Sequence, residues 1–189
     1  REASSLAALT HPNVVQVFDV GVARGRPWMA MERIEGETLR TWATSEPSLE
    51  RRIEAVLDLS EGLNAVHRVG LLHRDVKPAN VMVDRDGRVR LMDFGLARQR
   101  VEDERSAQRT PGSAERISSP AGTPGFIAPE VLDGARPTER SDQFSFAVTA
   151  LAILEDAPAR VLAVLERARA TDPRSRWPRM DTLIRALER

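Results

Sequence analysis

The chain of 189 residues contains no cysteine, no excess of charge of either sign and no long apolar run. The absence of cysteine excludes disulfide bonds, thiol catalysis and zinc–thiolate sites, and it suits a reducing compartment, so the cytoplasm is the expected location. With 28 basic and 28 acidic residues, nucleic acid and membrane surfaces are poor candidates as partners. No apolar stretch approaches the roughly 18 residues of a membrane span, so any anchor is expected outside this chain.

One short region carries most of the chemical information. Residues 73–80 read His-Arg-Asp-Val-Lys-Pro-Ala-Asn, and residues 93–95 read Asp-Phe-Gly. Magnesium prefers oxygen ligands and usually takes only one or two of them from the protein. Asn80 and Asp93 can supply these oxygens, and the pattern therefore indicates a site that handles phosphate groups.

The first motif also contains the groups that phosphoryl transfer requires besides the metal. Asp75 can accept the proton of an incoming hydroxyl, and Lys77 can neutralise charge on the transferred phosphate. Because such catalysis depends mostly on positioning and charge stabilisation, the spacing of these groups matters as much as their identity.

The residues between the two motifs predict a β-hairpin. The runs at 80–84 and 88–93 are short and strand-like, and the Asp86-Gly87 dipeptide between them predicts a two-residue turn. Such a hairpin would carry Asn80 at its entrance and Asp93 at its exit. The two metal ligands would then lie close together.

These motifs resemble the catalytic loop H-R-D-x-K-P-x-N and the D-F-G motif of eukaryotic-like bacterial serine/threonine protein kinases. Further segments match the family in the same order at 122–130, 141–146 and 172–178. The resemblance implies an α+β, protein-kinase-like fold. Residues 1–34 would form part of the β-rich N-lobe, with the family's helix C, its fourth and fifth strands and the hinge, and residues 35–189 would form the mainly helical C-lobe.

The resemblance also implies that the catalytic domain is truncated. Glu2 matches the helix C glutamate that pairs with a strand lysine in the family, but that lysine and the glycine-rich loop have no counterpart in this sequence. The interval after Ser145 is shorter than in the family, where it includes a substrate-docking region. We therefore expect the chain alone to be weakly active or inactive. The alternative is a pseudokinase-like module that binds partners or regulates them.

The site residues receive roles from the same resemblance. Asp75 would be the catalytic base, Lys77 would contact the phosphate, and Asn80 and Asp93 would hold Mg²⁺ or Mn²⁺. The expected substrates are ATP and proteins that present serine or threonine. The residues expected to contact the nucleotide or its metal come from the hinge, the catalytic loop and the D-F-G motif: Met31, Glu32, Ile34, Lys77, Asn80 and Asp93.

Residues 98–121 form a polar segment that is either a solvated linker or, from its position, an activation loop. Arg74 would bind a phosphate carried by that loop. The candidate phosphorylation sites, among which the sequence does not discriminate, are Ser113, Ser118 and Ser119. Thr123 would shape the substrate platform. A regulatory protein partner or a homodimer is compatible with such a loop.

Several residues are expected to support the site rather than react. His73 would pack on Phe94 of the D-F-G motif, which ends at Gly95. Asp142 is either a helix N-cap or, by resemblance, the anchor of the catalytic-loop backbone. Glu130 and Arg176 are either unrelated surface charges or the family's buried ion pair. His67 is expected to be exposed or to interact with a helix dipole.

The apolar pattern predicts the main elements. Strands are expected at 14–20 and 28–32 around a turn region at 21–27, and a long helix is expected from Leu49 to Gly70. Two amphipathic helices are expected near the end of the chain, over 161–168 and 180–187.

Overall fold

The computed structural model describes residues 9–24, 26–93 and 125–189. Within these ranges the chain forms five strands and six α-helices, with 3₁₀ turns at Pro78–Asn80 and Pro173–Ser175. In chain order the elements are β1 (Val17–Ala23), β2 (Arg26–Met31), β3 (Gly36–Thr38), α1 (Leu39–Ala43), α2 (Leu49–Arg68), β4 (Val81–Asp84), β5 (Val89–Leu91), α3 (Pro129–Leu132), α4 (Glu139–Leu151), α5 (Ala159–Ala168) and α6 (Met180–Leu187).

Seven residues of the predicted site lie outside the described residues. They are Glu2, Phe94, Gly95, Ser113, Ser118, Ser119 and Thr123. None of the described helices combines the length and the apolar character needed to cross a membrane.

Helix α2 forms over Leu49–Arg68, as the apolar spacing of this stretch predicts. The Ser48 side chain accepts a hydrogen bond from the Arg51 amide at its start, and Gly70, with φ of +74°, follows its end. A capping hydroxyl and a left-handed glycine are the usual terminators of a helix. Its buried face includes Leu59 and Leu63, which are completely inaccessible to solvent.

The strands form two small antiparallel sheets, β1–β2 and β3–β4–β5. The predicted turn region at 21–27 is wrong in extent, because β1 and β2 continue through it and pair as far as Ala23 and Arg26. Gly21 lies opposite Trp28, and a side chain on Gly21 would come within 2.7 Å of the indole. Gly21 therefore leaves room for the Trp28 indole within a strand, and it does not mark a turn.

The segment before β1 is bonded to the far edge of the second sheet. Val15 N donates to Leu91 O at 2.9 Å, and Leu91 N donates to Asn13 O at 2.9 Å. The buried Asn13 side chain also donates to Val89 O at 3.1 Å. These bonds attach the start of β1 to β5, which leads into the D-F-G motif.

The C-terminal part of the chain contains α4, α5 and α6, and the two predicted amphipathic helices are confirmed. Only residues 152–158 separate α4 from α5. Arg52 of α2 closes this short connection, because its two terminal nitrogens each lie 2.8 Å from a carboxylate oxygen of Asp156 and one of them donates to Ile153 O.

Candidate active site

The hairpin that carries the predicted metal ligands has a three-residue loop, so the predicted two-residue turn is wrong in length. Asp84 N donates to Arg88 O at 3.0 Å, and Gly87 N donates to Asp84 O at 2.9 Å. Gly87 has φ of +82°, which is the left-handed residue of such a three-residue loop. The Asp84 carboxylate accepts the amides of Asp86 and Arg88 and so stabilises the longer loop.

The open end of the hairpin brings the two motifs together. Val81 of β4 pairs with Leu91 of β5, and the ladder continues with Met92 N donating to Asn80 O at 3.0 Å. Asp93 directly follows Met92, so the two predicted ligands leave the hairpin from adjacent positions. Asp93 has φ of +59°, a left-handed conformation that aspartate adopts more readily than most residues.

The catalytic loop places Asp75, Lys77 and Asn80 in mutual contact. Asp75 Oδ2 lies 2.8 Å from Lys77 Nζ and 2.9 Å from Asn80 Nδ2. The Asn80 amide nitrogen also donates to Asp75 O at 2.9 Å. The Asp75 side chain is only 9% exposed, so its carboxylate is oriented by both neighbours. Charge-assisted bonds of this kind fix a carboxylate more firmly than solvent does.

The residues at the open end suit a magnesium ion. Asn80 uses its amide nitrogen to contact Asp75, which leaves Oδ1 as the atom suited to a metal, and the Asp93 residue is exposed. No three His, Asp or Glu side chains cluster as a metal site within the described ranges. Magnesium usually takes one or two protein ligands and completes its shell with phosphates and water, so the donor set fits this ion.

The Asp142 side chain forms hydrogen bonds with the backbone of the catalytic loop. Its two carboxylate oxygens accept from His73 N at 2.8 Å and from Arg74 N at 2.7 Å. Arg74 has φ of +68°, which costs a non-glycine residue about 1–2 kcal/mol. The buried carboxylate thus stabilises a strained turn directly before Asp75. Asp142 is not the N-cap of α4, because Thr138 occupies that position.

Asp142 also binds His67, and the expectation that His67 is exposed is therefore wrong. His67 Nε2 lies 3.0 Å from Asp142 Oδ2, and the His67 residue is 7% exposed. Burial by itself would raise the pKa of Asp142, but the hydrogen bond and charge of His67, together with His73, outweigh burial and lower it. Asp142 is consequently held as a carboxylate that can accept three bonds.

His73 is completely buried and has a single compatible tautomer. Its Nε2 lies 2.9 Å from the carbonyl oxygen of Met92, which can only accept, and its Nδ1 lies 3.3 Å from the amide nitrogen of Asp75, which can only donate. Burial lowers the pKa of His73 despite the nearby charge of Asp142. The neutral ring therefore links the catalytic loop to the segment that ends in Asp93.

The structure brings Glu130 and Arg176 together as a bidentate ion pair. Both nitrogen–oxygen distances are 2.7 Å, and the Arg176 side chain is completely buried. The remaining guanidinium hydrogens are donated to backbone carbonyls, so all five N–H groups are used. The carbonyls belong to Arg140, Ala170 and Thr171.

The predicted hinge begins at Met31, the last residue of β2, whose side chain is partly buried against the core. Glu32 N donates to Gln16 O at 2.8 Å, so the amide of Glu32 is used within the protein. Ile34 also packs against the core. The Glu32 carboxylate accepts from Arg90 Nη1 at 3.2 Å, a contact that the sequence analysis missed. The sequence signal for this contact was Arg90 itself, a charged residue between Val89 and Leu91 in an apolar strand.

Comparison with known proteins identifies the family of the chain. The family described as "Protein kinase domain" matches residues 1–163. The chain is 37% identical over 164 residues to the serine/threonine-protein kinase PknB of Mycolicibacterium smegmatis, covering 84% of this chain and 25% of the relative. It is 39% identical over 158 residues to the serine/threonine-protein kinase pkn2 of Myxococcus xanthus, covering 82% of this chain and 18% of the relative.

A solved structure supports the same assignment. The kinase domain of PknI from Mycobacterium tuberculosis superposes with a TM-score of 0.76 at 29% identity, covering 100% of this chain and 76% of that chain. The chain spans about a quarter of the length of PknB, one of the curated relatives that it matches. The α+β, protein-kinase-like fold is thereby confirmed, and the chain belongs to the protein kinase family, among whose members its relatives are bacterial serine/threonine kinases.

Proposed function

We propose that the chain is the catalytic core of a serine/threonine protein kinase, which transfers the γ-phosphoryl group of ATP to a serine or threonine hydroxyl of a protein. The observation that carries the proposal is the contact among Asp75, Lys77 and Asn80. This cluster lies in a loop braced by Asp142, next to the hairpin end that presents Asp93.

Each contact has a function in this chemistry. Asp75 is oriented by Lys77 and Asn80 so that its carboxylate can accept the proton of the attacking hydroxyl. Lys77, beside it, offsets charge that develops on the transferred group. Asn80 and Asp93 would hold Mg²⁺ or Mn²⁺, which when bound neutralises charge on the phosphates of ATP.

The other nucleotide contacts come from the hinge. Met31 lies at the end of β2 and would form the back of the adenine pocket. The backbone of Glu32 and Ile34 would bond the adenine edge. Because Glu32 N already donates to Gln16 O, the Glu32 carbonyl and the Ile34 backbone are the groups that we assign to adenine.

Regulation by phosphorylation remains part of the proposal. Arg74 directly precedes Asp75, so a phosphate on Ser113, Ser118 or Ser119 that reached its guanidinium would contact the catalytic loop. Thr123 and Glu2 keep their predicted roles in the substrate platform and in the phosphate clamp. The cytoplasmic location, a regulatory partner and a homodimer likewise remain predictions.

The alternative, a kinase-like module without catalysis, is not favoured. Its support is that the lysine and the glycine-rich loop have no counterpart in this sequence and that the interval after Ser145 is short. Against it stand the complete set of Asp75, Lys77, Asn80 and Asp93 and the serine/threonine kinases among the relatives. The contacts of the Asp75 carboxylate with Lys77 and Asn80 are the arrangement that phosphoryl transfer requires.

A radiolabelled phosphotransfer assay with Mg-ATP and a generic basic protein tests the proposal. We expect slow turnover by this chain, lowered at least about 100-fold by Asp75→Asn because the proton acceptor is lost. Asp86→Asn, at an exposed position in the hairpin loop, is the matched control and should behave as wild type. Equal turnover by Asp75→Asn and wild type would contradict the role of Asp75.

Nucleotide binding is tested separately by thermal unfolding. A ligand that binds only the folded chain must raise its unfolding temperature, and the rise should be smaller in Asp93→Asn. The absence of both turnover and an Mg-ATP-dependent rise would contradict the proposed function. Robust turnover that Asp75→Asn abolishes would instead support the function and refute the expectation that this chain is weak alone.

A further inference from the structure

Arg90 connects the hinge to the hairpin that presents Asn80 and Asp93. It lies on β5, and only 17% of its side chain is exposed. Its Nη1 donates to Glu32 Oε2 at 3.2 Å, while its Nε lies 3.7 Å from Asp84 Oδ2. Because the guanidinium of Arg90 is mostly shielded from water, moving it away from the two carboxylates would leave its positive charge unpaired. Arg90 therefore holds the hinge carboxylate at a defined place relative to the hairpin.

Glu32 is attached on its other side to the segment before β1. Its amide donates to Gln16 O at 2.8 Å, and Val15 in turn donates to Leu91 O at 2.9 Å. Leu91 directly follows Arg90 on β5. The hinge, the 13–16 segment and β5 thus form a closed ring, and the Arg90–Glu32 bond is the side-chain link that completes it.

We propose that Arg90 is a positioning residue that sets the distance between the hinge and the open end of the hairpin. This inference rests on the proposed function, since the hinge is then the adenine subsite and Asn80 with Asp93 the metal–phosphate subsite. A single molecule of ATP must occupy both subsites at once. When their separation is established before binding, less ordering accompanies binding, and affinity for the spanning ligand rises.

If Arg90 sets this distance, its loss should affect the affinity for ligands that span the two subsites more than the affinity for ligands that occupy one. Mg-ATP reaches both the hinge and the Asn80–Asp93 end, whereas adenosine without phosphates reaches only the hinge. Loss of the Arg90 link should therefore weaken Mg-ATP and leave adenosine nearly unchanged. A purely structural role would weaken both ligands alike.

Replacement of Arg90 by methionine should leave the chain folded. Arg90 Nε is buried and finds no hydrogen-bond acceptor among the described residues, so the native guanidinium is not fully satisfied. Glu32 is 34% exposed at its side chain and stays hydrated when its partner is removed. Methionine preserves most of the apolar stem that packs on the strand.

The experiment is calorimetric titration of the 189-residue chain with Mg-ATP and, separately, with adenosine. Arg90→Met should bind Mg-ATP about tenfold more weakly and adenosine less than about twofold more weakly, because one charge-assisted bond is lost. Arg90→Lys should recover part of the Mg-ATP affinity. The control is Arg85→Met, in the loop of the same hairpin. Arg85 pairs with Glu35 at the surface, where the two side chains are 79% and 59% exposed, so its replacement should change neither affinity.

Hydrogen exchange without nucleotide provides a second, independent measurement. The Glu32 amide should exchange faster in Arg90→Met than in wild type or Arg85→Met, because the ring that holds it is open. Equal weakening of both ligands, or unchanged Mg-ATP affinity together with unchanged exchange, would overturn the inference. If wild type fails to bind millimolar Mg-ATP, the proposed function fails, and the exchange comparison still decides whether Arg90 holds the hinge.

Discussion

Two buried charged side chains support the site: Asp142 binds the backbone of the catalytic loop, and Arg176 binds Glu130. Each is almost inaccessible to solvent, Asp142 accepts three hydrogen bonds, and Arg176 donates five. A buried charge is tolerated only when it is paired and bonded in this way. At the residue scale, these side chains are expected to be the least replaceable part of the site's support.

Arg176→Lys is expected to destabilise the fold by about 2–4 kcal/mol. Lysine keeps the charge but has three donors in place of five, so it cannot serve both oxygens of Glu130 and three backbone carbonyls. Urea unfolding measures the change. Arg169→Lys is the matched control, because Arg169 also pairs with both oxygens of a glutamate, Glu166, but at the surface. Similar losses in the two variants would contradict the argument.

At the scale of elements, close approach of helix α2 to the 13–16 segment sets the position of β5. Gly62 of α2 lies beneath Asn13, and a side chain on Gly62 would come within 2.5 Å of Asn13 O. The same carbonyl accepts from Leu91 N at 2.9 Å. A change in the helix would thus be transmitted to the strand that leads to Asp93.

Gly62→Ala is expected to lower the free energy of unfolding by about 1–3 kcal/mol, although alanine is the better helix former. The reason is that the obstructing atom belongs to the backbone and cannot rotate away. Asn64→Ala, at a partly exposed position of the same helix, should be neutral or slightly stabilising. Chemical denaturation compares the two, and a stabilised Gly62→Ala would show that the segment yields easily.

At the scale of the whole molecule, the buried histidine and aspartate under the catalytic loop couple folding to pH. Burial lowers the pKa of His73 from its model-peptide value of 6.5. Asp142 also has a lowered pKa, from 3.8, because its bonds to His67 and the loop outweigh its burial. In both cases the unfolded chain takes up a proton at a higher pH than the folded chain does, so stability falls on acidification.

We expect the unfolding free energy to fall between about pH 7 and about pH 5, because the unfolded form of His73 gains its proton at a higher pH than the folded form does. The contribution of Asp142 is complete above about pH 3.8 and is lost only at lower pH. His73→Gln keeps a donor for Met92 O but does not titrate, so its stability should depend less on pH across this interval. Equal slopes in wild type and variant would rule out His73 as the cause.

Much of the fold was predictable because it depends on local signals. The α2 helix and the two C-terminal helices follow from apolar spacing, and the hairpin follows from two apolar runs around Gly87. The two predictions of secondary structure that were wrong, the length of the hairpin loop and the extent of β1, also concern short segments. The loop has three residues because the Asp84 side chain bonds two of its amides, and β1 continues through Gly21 because Trp28 covers that glycine.

The sequence by itself determined the family, and it predicted the candidate catalytic and metal-binding groups, because Asp75, Lys77, Asn80 and Asp93 are identified by type and spacing along the chain. Only the tertiary structure decided what holds them: His67 on Asp142, Arg90 on Glu32, and the neutral tautomer of His73. These contacts join residues far apart in the chain. Their formation depends on how helices and strands pack, and neither spacing nor local propensity encodes which distant side chains will meet.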